Sequence, residues 1–120
     1  MLGDETKPPA ERLHATVRAF FHSECAEAPL RLALADAAAS YRDSPEAQHH
    51  RETGTDMAMR FIGTIAPHAS KSQRAFAVEL LFATMSALGK EVSERGLSPK
   101  EVDRWAAATS DMVYGYIANH

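Results

Sequence analysis

The chain has a single cysteine, Cys25, in 120 residues. No internal disulfide can form, which fits a reducing compartment. It has no run of the roughly 18–20 apolar residues that a membrane span needs. The opening MLGDETKPP is polar and carries no signal-peptide pattern, so the expected location is the cytoplasm, with no membrane partner. It has no Lys/Arg run either. Its 13 basic residues are scattered among 16 acidic ones, for a formal net charge of −3. Direct nucleic-acid contact by this chain is therefore not expected. β-branched residues are sparse and no segment alternates with period two, which excludes a sheet and leaves an all-α protein. There is no glycine-rich phosphate loop, no Gly-x-Ser-x-Gly turn, no HExxH and no Cys/His cluster. We expect no catalytic residue, no metal and no cofactor, and thus no enzyme.

What is present is organised around Ser70–Arg95. Ser70 followed by Gln73 is a capping-box pattern, and Gly96 closes the other end. One apolar stripe runs Val78, Leu81, Phe82, Met85, Leu88, Val92 at helical spacing. A second row runs Phe76, Leu80, Ala83, Ala87. A helix that touches one core needs one stripe. Two rows predict packing on two sides, one of them a second chain. Ser98-Pro99-Lys100-Glu101 then starts a last helix. Its apolar positions are Val102, Trp105, Ala106, Thr109, Met112, Val113, Tyr116 and Ile117. So short a link makes the two helices an antiparallel hairpin.

Before this pair, residues 1–9 read as a flexible linker and residues 10–120 as one helical domain. The first helix is predicted over about Ala10–Ala26, with Leu13, Val17, Phe20, Phe21 and Cys25 on its apolar stripe. Pro29 is expected to open a short second helix carrying Leu30, Leu34, Ala37, Ala38 and Tyr41. Asp43-Ser44-Pro45 begins a third, which Pro67 stops. Glycine at positions 54 and 63 weakens it, with a bend expected near Gly54. The fold expected is a five-helix, bundle-like domain.

Two Glu-x-x-His pairs occur, Glu11 with His14 and Glu46 with His49. In duplicate this spacing can bind a di-iron centre, with Glu24 and Glu79 the obvious candidates for the two further acids it needs. Both pairs fall in first helical turns, where acids are common for electrostatic reasons, so capping and surface roles are the simpler reading. The metallo-bundle enzyme stays a remote alternative. The aromatic and methionine set is richer: Phe20, Phe21, Tyr41, Met57, Phe61, Phe82 and Met85 lie on inward stripes or beside them. Most belong to a core. The sharper reading has some of them lining a ligand cavity, with Cys25, His50, Tyr41 or Thr84 as polar contacts.

The order PPAERLHATVRAFF, APLRLALADAAASYRDSPEAQHH and the final hairpin resembles the effector-binding half of TetR-family transcriptional regulators. The resemblance spans Ala10–Ile117. It implies a TetR C-terminal fold whose last two helices dimerise as a four-helix bundle. It also implies a small apolar or amphipathic effector bound among the first four helices. The basic helix-turn-helix head of that family is not found in these residues, so DNA reading is not carried over to them. The expected ligand-binding residues are Phe20, Phe21, Cys25, Tyr41, His50, Met57, Phe61, Phe82 and Met85. The expected homodimer interface is Leu81, Met85, Leu88, Trp105, Thr109, Met112 and Tyr116. A helical interaction domain without a ligand is the alternative.

Overall fold

The structure is a computed structural model that describes residues 2–3, 5–33 and 45–120, with side chains described outside 28–53. The described residues form four helices and no strand: α1 (Pro9–Ala33), α2 (Pro45–Ile65), α3 (Lys71–Glu94) and α4 (Pro99–Ala118). The second helix expected to open at Pro29 does not begin there, because residues 29–33 are the end of α1; its remainder, with Leu34, Ala37, Ala38 and Tyr41, lies outside the described residues. One boundary differs within them. The first helix does not stop near Ala26 but runs on through Pro29 to Ala33. A proline inside a helix removes one backbone hydrogen bond and costs about 3 kcal/mol. Sequence reading takes that cost as a boundary, whereas here the helix continues across it. Likewise α2 is continuous through Gly54.

Local chemistry accounts for the other ends. Ser70 Oγ accepts from the Gln73 amide at 3.1 Å, and Gln73 Oε1 accepts from the Ser70 amide at 2.8 Å, a complete capping box. Ser98 Oγ accepts from the Glu101 amide at 3.3 Å, with proline in the first helical turn. Gly96 has φ +64°, the left-handed conformation that ends α3 with no Cβ penalty. Between α2 and α3, Arg74 donates to the carbonyls of Pro67 (2.8 Å) and Ala69 (3.2 Å) and fixes the turn.

The core is built on α1. Leu13, Val17 and Phe21 are fully buried, and they meet Ala58, Phe61 and Ile62 of α2, Val78, Leu81 and Val92 of α3, and Val102, Ala106 and Ile117 of α4. Helix α1 packs along both α3 and α4. A Cβ on Gly89 would lie 2.8 Å from the Phe20 ring and 3.2 Å from Glu24 Cγ, so glycine sets the close approach of α1 to α3. Outside the core, Arg18 and His22 of α1 reach Asp103 of α4 at 2.8 and 2.6 Å.

Candidate functional site

The last two helices carry apolar side chains on their outer surface as well as on the inner one. On α3, Phe76 is 55% exposed and Leu80 38%, and Ala83 and Ala87 are exposed on the same row. On α4, Met112 is 59% exposed and Tyr116 37%. A groove of about 210 Å³ lies between the helices, floored by Leu81, Val113 and Ile117 and flanked by Leu80, Met112 and Tyr116. Thr84 is the one polar aliphatic side chain among its described lining residues. The residues of the groove come from the start of α3 (Ala77–Thr84) and the end of α4 (Met112–Ile117). At the opposite ends of the two helices, the Arg95 guanidinium covers the Trp105 ring at 5.1 Å. Beside Trp105 is a hollow of about 340 Å³ whose lining includes Glu101, Arg104 and Ala108. Burying exposed apolar surface of this kind is favourable in water.

The residues expected at a dimer interface therefore divide by depth. Met112 and Tyr116 stand out from the surface. Met85, Leu88 and Trp105 are half-buried against the core. Leu81 and Thr109 are buried within the protomer. Phe76 and Leu80 are missing from the expected set although the second apolar row pointed to them. The row was legible as a row. What the sequence does not give is which of two neighbouring stripes the protomer's own helices cover.

The expected ligand-binding residues also divide. Phe21 and Phe61 are in the core, and Phe20, Cys25 and Met85 are half-buried beside it. Met57 and Phe82 are more than two-fifths exposed. Tyr41 and the side chain of His50 lie outside the described residues. Phe82 sits about 100° around α3 from Leu81, on the flank of the buried stripe, which is why stripe membership alone placed it inward. Of the groups considered for a metal, Glu11, His14 and Glu79 are exposed and Glu24 is half-buried, and the side chains of Glu46 and His49 fall outside the described residues.

A second concavity, of about 170 Å³, opens where α1 meets α2. It is lined by Leu2, Gly3 and Glu5, by Arg12 of α1, and by Met57, Arg60, Phe61 and Thr64 of α2. Arg12 is only 6% exposed. Its Nη1 donates to the Leu2 carbonyl at 2.9 Å, and its guanidinium lies 5.3 Å from the Phe61 ring centroid. Its buried Nε has no hydrogen-bond partner. Sequence reasoning passed over Arg12, because a cation beside an apolar stripe reads as a solvated flank.

A family model described as "Tetracyclin repressor-like, C-terminal domain" matches residues 8–120. No curated protein matches the chain.

Proposed function

Because the chain belongs to the tetracyclin repressor-like C-terminal domain family, we propose that it is the small-molecule-sensing and dimerisation domain of a TetR-like transcriptional regulator. The observation that carries this reading is the exposed apolar face of α3 and α4. Phe76, Leu80, Met112 and Tyr116 are exposed, and the last three flank a groove with almost no polar lining. In this reading α3 and α4 form an antiparallel hairpin. Two facts support it: the start of α3 shares the groove with the end of α4, and Arg95 covers Trp105 at the other end. Two hairpins related by a two-fold axis then make a four-helix bundle, since an isologous interface needs a self-complementary patch.

The effector, a small apolar or amphipathic molecule, binds among α1, α2 and α3. Phe20, Phe21, Cys25, Tyr41, His50, Met57, Phe61, Phe82 and Met85 are its proposed contacts. Binding shifts the equilibrium between two arrangements of the helices only by the effector's difference in affinity for them. Because α1 touches both α3 and α4, a displacement of α1 is felt at the dimer face. The setting is cytoplasmic, and direct contact with nucleic acid is not part of this domain's role.

The test is the solution mass, by size-exclusion chromatography with light scattering. Wild type is expected at twice the 13.1 kDa chain mass. Met112→Glu places a charge in the interface, and an unpaired buried charge is strongly unfavourable. That variant is expected at the monomer mass with its helical circular dichroism retained. A variant that remains dimeric puts the interface elsewhere.

A further inference from the structure

We propose that the concavity between α1 and α2 is a binding site for a small carboxylate anion, with Arg12 as its anchor. This site stands apart from the dimer face but shares Met57 and Phe61 with the proposed effector contacts; its test reads a carboxylate at Arg12 and depends on neither reading.

Four observations carry it. The Arg12 side chain is 94% removed from solvent, yet its Nε has no acceptor. Among the described residues no carboxylate lies within ion-pair distance of it; the described pairs are Arg18 and His22 with Asp103, and Arg95 with Glu91. A buried guanidinium is a permanent cation, and leaving it without a counter-charge or a full set of acceptors is costly. Such a group is commonly resolved by a ligand, an ion or water. Arg12 lines the cavity, and a small turn of its side chain would bring Nε to an acceptor held there.

The lining gives the chemistry of the ligand. Among the described lining residues, two guanidiniums, Arg12 and Arg60, stand against one carboxylate, Glu5. The planar fork of an arginine matches a carboxylate with two parallel hydrogen bonds. The remaining wall is apolar: Leu2, Met57 and the Phe61 ring. Thr64 Oγ1 already donates to the Arg60 carbonyl at 3.1 Å, so it offers the ligand an acceptor rather than a proton. A volume of about 170 Å³ is close to the roughly 150 Å³ of a cavity that takes benzene. The ligand class is thus a monocarboxylate with a compact apolar body. Glu5 disfavours larger polyanions.

Benzoate is a suitable probe and benzamide its neutral match. The titration is followed by amide chemical shifts of the isotope-labelled full chain. Benzoate is expected to give saturable shifts centred on Arg12 and on residues 60–64, and benzamide to give none. Arg12→Gln is expected to weaken benzoate at least tenfold. Arg12 is buried, so the exposed Arg60→Gln is the companion: it is expected to weaken benzoate severalfold with an unchanged melting temperature. Equal shifts from benzamide, shifts scattered over all basic residues, or unaltered benzoate affinity in Arg60→Gln and in a folded Arg12→Gln would each overturn the assignment.

Discussion

Asp103 of α4 is closed over by two basic side chains of α1. Arg18 Nε donates to Oδ1 at 2.8 Å, and His22 Nε2 lies 2.6 Å from the same oxygen. The hydrogen bond from Arg18 first, and the one from His22 second, hold the Asp103 carboxyl well below its ordinary 3.8, at about 2, against a smaller opposing effect of burial. Arg18 is correspondingly held in its charged form. The folded-state value lies below the unfolded one, so ionised Asp103 stabilises the fold above about pH 4. That contribution is lost as the pH falls from about 4 towards 2, where the folded carboxylate also takes up its proton. Asp103→Asn removes it at every pH. Melting curves should therefore show wild type above the variant at neutral pH, the two converging near the acid end of the window. The gap is small, since the three side chains are solvent-accessible and salt screens them. A gap that stays constant through the window assigns the acid titration to another group.

At the scale of the helices, adjacent residues of α3 have opposite fates. Leu81 is 3% exposed and packs on the core, while Leu80 is on the outer face. Leu81→Ala should cost about 2–5 kcal/mol, as truncation of a buried leucine does. Leu80→Ala should leave the protomer's own stability within roughly 0.5 kcal/mol and weaken only its association. Chemical denaturation at low protein concentration separates the two, and equal losses would mean that Leu80 is covered within the protomer. The same helix marks how far the sequence is legible. Its caps, Ser70 with Gln73 and Gly96, could be read because capping depends on a few residues close in the chain. The buried stripe Val78, Leu81, Val92 could be read from its period. The exposure of Phe82 could not, because a flank position is decided by what lies across from it. The continuation of α1 past Pro29 could not either. Local preference argues for a break there, and the helix continues across it all the same. Arg12 was lost for a related reason: burial of a charged side chain is a property of its surroundings, here Leu2 and Phe61, which are distant in the sequence.

At the scale of the molecule, α1 is the element that packs along both α3 and α4. It carries the fully buried Leu13, Val17 and Phe21, the basic pair on Asp103, and Arg12 at the cavity shared with α2. A protomer whose outer face is apolar has its stability tied to its partner, because association adds free energy that exists only in the folded state. For a dimer that unfolds to two chains, each tenfold rise in concentration adds about 1.4 kcal/mol to the apparent stability. In a domain of this size that corresponds to a few degrees in melting temperature. Wild type should accordingly melt higher as its concentration is raised over about two decades, and Met112→Glu should melt at one temperature throughout. If the proposed effector binds among the first helices, it should add to this at fixed protein concentration, by about 2.7 kcal/mol at a hundredfold excess over its dissociation constant. If that increment is the same in wild type and in the monomeric variant, effector and dimer are energetically independent. If it differs, the difference is the coupling free energy between the two, and α1, packed along both α3 and α4, is the element we propose to carry it. A wild-type melting temperature that ignores concentration would remove the dimer from this scheme.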